Sequence, residues 1–143
     1  MKSIIFVVLL GITTIVAAEE NNTAKTNYGN ELADCAAYYA VTSTWFSPDL
    51  AKRLLNTSHG AAEMSARLIG LEATKARMSK EIANQKLIRS EVSKLLEEKT
   101  QDKEKLNNAN DNMKGKLDVY AQKCKMAVFR PEERLKFWEA KDD

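Results

Sequence analysis

Cys35, Cys124, His59 and a scatter of carboxylates are the groups through which this chain could do chemistry. Catalysis needs a positioned acid, base, nucleophile or metal. His59 is the only histidine and stands beside Gly60, where it reads as an exposed loop residue. No nucleophile elbow or related motif accompanies it, so a triad is not expected. A metal centre needs several His or Cys residues at ligand spacing, and the sequence offers none, so no metal or cofactor is expected. The run over 107–112, Asn-Asn-Ala-Asn-Asp-Asn, is rich in side-chain oxygen but carries one acidic residue. That is too little charge for a calcium loop. Glu97, Glu98 and Lys99, then Asp102, Lys103, Glu104 and Lys105, read as a solvated helix face with short-range ion pairs. The expectation is a protein that is not an enzyme.

The chemistry that remains is thiol pairing. An even cysteine count in an exported chain predicts a Cys35–Cys124 disulfide. For so long a loop the bridge is worth about 4–5 kcal/mol by chain entropy. Two buried free thiols, or pairing between chains, are the alternatives.

Export itself is read from the N-terminus. Lys2 precedes an apolar run over 4–16, and Val16-Ala17-Ala18 supplies small residues before Glu19. This is the pattern of a secretory signal peptide, residues 1–18. The run is shorter than the roughly twenty residues that a membrane span requires. No later apolar run is long enough either, so no integral membrane segment is expected after cleavage. The brief signal and sparse cysteines favour a bacterial source and a periplasmic or secreted location. Asn21-Asn22-Thr23 and Asn56-Thr57-Ser58 match the N-glycosylation pattern, which has meaning only in a eukaryotic secretory pathway.

These groups must be positioned by helices. The chain has 143 residues with a net charge of +2, and its basic and acidic residues are interspersed, so no nucleic-acid footprint is formed. Its Ala, Glu, Lys and Leu content, with two prolines, predicts an all-α fold. The expected form is an elongated helical hairpin or small helical bundle with a long central helix, closed by one disulfide. Residues 19–29 are polar and unpatterned and read as a flexible leader, followed by a single helical domain over 30–143.

A first helix is expected over 30–45. It is apolar nearly all round: Leu32, Cys35, Ala36, Tyr39 and Phe46 form one stripe, Tyr38, Val41 and Trp45 another, with alanines between. Such a helix belongs at the centre of a core. Ser47-Pro48-Asp49 starts a second, short helix to about residue 55, and 56–60 reads as a break. From Ala61 onward Met64, Leu68, Leu71, Met78, Ile82, Val92 and Leu96 keep one heptad register, interrupted by Lys75, Gln85, Arg89, Lys99 and Lys103. So many polar residues suit packing within the chain better than a parallel coiled-coil seam.

The run over 107–112 is a turn by composition, yet Leu106, Met113, Leu117, Tyr120 and Cys124 continue the register through it. A single rod from Ala61 to Cys124 would be about 95 Å long, which the disulfide excludes. A turn at 107–112 alone returns Cys124 by only about 18–27 Å, so a further bend near Gly70 or later comes into consideration. Pro131 then opens a last short helix carrying Leu135, Phe137 and Trp138.

The leading functional expectation is binding of a protein partner, its identity open, through Tyr38, Trp45 and Phe46, through Phe137 and Trp138, or through both sets. Aromatic residues are the usual anchors of interfaces. Within the first cluster, Cys35 and Tyr39 are expected in the core and Tyr38 and Trp45 nearer the surface. One alternative is a coiled-coil-like homo-oligomer of the envelope. Another is a membrane-surface binder using Leu135, Phe137 and Trp138 as apolar anchors, with Arg130, Arg134, Lys136 and Lys141 supplying charge. The signal peptide gives the first test: N-terminal sequencing of exported protein should begin at Glu19, and a mature chain that retains Met1 would refute cleavage after Ala18.

Overall fold

A computed structural model describes residues 13–141, with side chains from residue 22. Residues 1–12 of the expected signal peptide lie outside the described residues. The rest of that peptide, from Thr13, enters only as helical backbone. Five helices follow in order: α1 (Thr13–Ser43), α2 (Pro48–Ile69), α3 (Leu71–Glu97), α4 (Lys103–Phe129) and α5 (Pro131–Lys141). The fold is an all-α bundle, with no strand among the described residues.

Helix α1 is the axis of the bundle and touches each of the other four helices. Side-chain bonds fix the directions. Residue 36 of α1 meets Ser58 of α2, and residue 29 meets Ser65, so these helices are antiparallel. Asp34 meets Arg77 and Thr42 meets Arg89, so α3 runs parallel to α1. Cys35 is bonded to Cys124 and Tyr28 meets Ala127, so α4 runs back. The disulfide closes within the chain, with its Cα atoms 5.2 Å apart.

The α1–α2 contact is made by the absence of side chains. Gly29, Ala33 and Ala36 face Ser65, Ala61 and Ser58 in antiparallel register, and all six are buried. With no bulk on α1 at these positions, the α2 hydroxyls reach its backbone. Ser65 Oγ donates to the Gly29 carbonyl at 2.8 Å, and Ser58 Oγ donates to the Ala36 carbonyl at 2.7 Å. Each hydroxyl is thereby satisfied in a site where an unpaired one would cost about 1–3 kcal/mol.

Two local expectations are corrected and one open choice is decided. The leader over 19–29 is not free chain but the first part of α1. Ala24 and Tyr28 are buried, and Tyr28 Oη donates to the Ala127 carbonyl at 2.7 Å. Tertiary packing outweighs the weak helix propensity of its asparagines and glycine. The break over 56–60 is helix interior, because Ser58 bonds to α1 and Thr57 Oγ1 bonds back to the Arg53 carbonyl. The 107–112 run is also helical: its asparagines face solvent while Ala109 packs on Val92 and Leu95.

The reversals that bring Cys124 home are elsewhere. Gly70, at φ 85°, separates α2 from α3. The second reversal, over 98–102, is a Schellman ending. Thr100 N–H donates to the Leu95 carbonyl and Lys99 N–H to the Leu96 carbonyl, with Lys99 at φ 50°. Asp102 then caps α4 by accepting from the Lys105 N–H at 3.0 Å. At the other end of the chain's first turn, Pro48 opens α2 as expected, although the Ser47 side chain makes no capping bond.

The seam yields a prediction. A Cβ at position 29 would lie 2.5 Å from Ile69 Cγ2 and 3.1 Å from Leu68 Cβ, whereas one at Gly115 meets nothing within 4 Å. Gly29→Ala is therefore expected to destabilise the fold by about 1–3 kcal/mol, despite alanine's better helix propensity. Gly115→Ala should stabilise it by up to about 1 kcal/mol. Urea unfolding of the two variants checks the opposite signs.

Candidate functional site

The five aromatic residues expected at a binding surface do not form one patch. Tyr38 is 8% exposed and belongs to the core. Its ring stacks on Tyr120 at 6.0 Å between centroids and meets Tyr39 edge-on at 5.2 Å. The expectation of Tyr38 as a surface anchor is therefore corrected: α4 supplies a ring that covers the second stripe. Cys35 and Tyr39 lie in the same core. Trp138 is half-buried, and its Nε1 donates to Glu31 Oε2 at 2.8 Å. Leu135 also packs on the core, so α5 turns two of its three apolar residues inward. Phe137 stays exposed beneath the Arg134 guanidinium, 4.1 Å from its ring centroid.

Trp45 and Phe46 remain at the surface, 40% and 51% exposed. They follow the end of α1, where the chain turns through 44–47. Glu31, which holds α5, lies about 20 Å away along the α1 axis, so Phe137 and Trp138 are not part of the same surface.

Trp45 lines an open groove of about 490 Å³ between the end of α1 and the outer half of α3. Ala40, Val41, Trp45 and Ile82 give it an apolar floor. Lys86, Arg89 and Lys94 supply positive charge and Glu97 one negative charge. Ser90 and Ser93 complete the α3 wall. The α3 residues fall at helical spacing, so one face of one helix builds that wall.

The groove is held by a polar ladder under its floor. Arg89 is 3% exposed. Its Nη2 donates to Thr42 Oγ1 at 2.8 Å, and its Nη1 donates to the Gln85 carbonyl at 3.0 Å and to Gln85 Oε1 at 2.7 Å. Gln85 Nε2 donates in turn to Glu81 Oε1 at 2.8 Å. Burial pushes the Arg89 pKa down from its ordinary value. Hence Gln85 and Arg89, which interrupt the apolar register, point into the protein, while Leu71, Leu87 and Leu96 point out. The register itself holds through the middle of α3, where Met78, Ile82 and Val92 share the inward face. Gln85 and Arg89 sit on that face because partners within the protein satisfy their polar groups.

Two further charged sites brace α1. Asp34, 6% exposed at its side chain, accepts from Arg77 Nε at 2.6 Å and Nη2 at 2.9 Å, with Lys123 Nζ at 3.7 Å. The bond to Asp34 raises the Arg77 pKa. Glu31 accepts from Arg134 Nε at 2.7 Å and Nη2 at 2.5 Å, besides Trp138. His59 is exposed on α2.

No family model, curated protein or solved structure matches the chain.

All four tyrosines have raised pKa values, with burial the largest cause in each. Tyr28 is pushed up to about 12 by burial, then by Glu31. Its phenolate would also lose the bond donated to Ala127. The folded pKa lies above the unfolded one, so the stability from Tyr28 is fully present below about pH 10. It is lost as pH rises toward 12. At pH 10 the folded protein should show far less tyrosinate absorbance than the urea-unfolded chain. Superimposable titration curves would contradict the burial of these rings.

Proposed function

We propose that the chain is an exported, non-enzymatic helical protein that acts by binding a protein partner, and that Trp45 with its groove is the contact surface. The observation that carries this reading is the exposure of a tryptophan over an apolar groove whose walls are braced from below. Burying such a ring is among the strongest single contributions an interface can gain. The walls are pre-organised: Arg89 ties α3 to Thr42 of α1 within one turn of Trp45. Less freedom is then lost when a partner docks.

Export is supported by the intrachain disulfide, which persists in oxidising compartments. No helix of the described residues is long and apolar enough to cross a membrane. A periplasmic or secreted location accords with both. The groove favours a protein partner over the membrane-surface reading, since Leu135 and Trp138 are engaged with the core. It also favours a partner over self-assembly through heptads, because the polar register positions Gln85 and Arg89 are used inside the bundle.

The test compares Trp45→Ala with Tyr38→Ala. Trp45→Ala should change melting little but weaken partner binding by about 2 kcal/mol or more. Tyr38→Ala should cost about 3 kcal/mol or more of stability, as buried aromatic truncations do. Thermal melting and affinity capture from the native compartment measure the two effects. Unchanged capture by Trp45→Ala would defeat the proposal, and so would equal, severe unfolding of both variants.

A further inference from the structure

We infer that the partner of the Trp45 groove presents an acidic amphipathic helix, and that the exposed Lys86 and Lys94 are its charge-reading residues. This rests on the groove being the binding surface and names the chemistry that would fill it.

Charge complementarity is the ground. Three cations line the groove against one carboxylate, Glu97. No carboxylate of the described residues lies within 4.0 Å of Lys86 or Arg89, and Lys94 only approaches Glu98 at 3.8 Å across an exposed face. Arg89 adds its charge from beneath the floor: it is almost wholly buried, and its hydrogen bonds go to Gln85 and Thr42 rather than to a carboxylate.

The shape selects a helix. The groove is open along one side, so it does not enclose a chain as a lipid or drug-sized pocket does. Val41, Trp45 and Ile82 form an apolar strip of the kind on which an amphipathic helix lays its apolar face. Lys86 and Lys94 are separated by about 12 Å along α3. That distance is a little over two turns, so carboxylates about seven or eight residues apart on the docked helix can meet both lysines at once.

The test uses fluorescence anisotropy with a labelled synthetic Leu–Glu amphipathic helix of about five turns, its Leu–Lys counterpart, and dodecanoate as a single-chain anion. The Leu–Glu peptide should bind the full mature protein, weaken with added salt and be displaced by no more than excess dodecanoate. The Leu–Lys peptide should not bind. The exposed double variant Lys86→Glu/Lys94→Glu should melt as the wild type does and lose at least about tenfold in affinity for the Leu–Glu peptide. Equal binding of the two peptides, absence of Leu–Glu binding, or an unaffected double variant would overturn the inference. Tight dodecanoate binding that depends on both lysines, without peptide binding, would assign the groove to a small amphiphile instead. If Trp45→Ala abolishes capture of a partner while Lys86→Glu/Lys94→Glu leaves it intact, the groove stands as the binding surface and only its acidic specificity falls. If neither variant affects capture, both readings fall together.

Discussion

Two carboxylates one turn apart on a buried helix set the positions of three others. Glu31 and Asp34 sit on α1 where almost no solvent reaches. Neither can remain there charged without a cation, since an unpaired buried charge costs several kcal/mol. Asp34 draws Arg77 from α3 and Lys123 from α4, and Glu31 draws Arg134 and Trp138 from α5. The apolar contacts around them are non-directional and would tolerate sliding. The bidentate Arg pairs do not, because two parallel bonds fix both distance and angle. The charges thus supply register to a bundle whose α3 face toward α1 is mostly polar.

The remaining side of α1 is held by a different device. Against α2 it presents small residues and bare backbone, and serine hydroxyls reach its carbonyls. One helix therefore uses close approach on one side and charge pairing on the others. The disulfide reinforces the α4 side, tying Cys35 to Cys124 within the same helix pair that stacks Tyr38 on Tyr120.

Much of this was legible in the residues. The all-round apolar pattern of 30–45 marked α1 as central, and the cysteine pair gave the bridge. The start at Pro48 and the separate helix after Arg130 were equally plain. What escaped was governed by long-range contacts. Lys99 occupies the left-handed position where glycine is the usual signal, so the reversal over 98–102 left no mark in composition. The polar stretches over 19–29 and 56–60 are helical because partners far along the chain receive them. At the site, Trp45 was identifiable as a candidate and does stay exposed. Tyr38 was not separable from it, because the ring that covers it belongs to Tyr120, more than eighty residues away. Arg89 looked like an interruption in an apolar stripe and proved to be the buried brace beneath the groove.

The topology also fixes an order of events in assembly. The bonds between α1 and α2 join residues 22 and 36 apart in sequence, whereas those from α1 to α4 and α5 join residues 99 to 107 apart. Short loops close first because they lose less chain entropy. The α1–α2 hairpin is thus the local unit by loop length, with Glu31 and Asp34 still uncovered and hydrated until later helices pack on it. Asp34 meets Arg77 of α3, 43 residues along the chain, whereas dehydration of Glu31 is deferred until Arg134 arrives, 103 residues along. By loop length alone, the last buried charge to find its partner is Glu31, whose cation lies in the final helix.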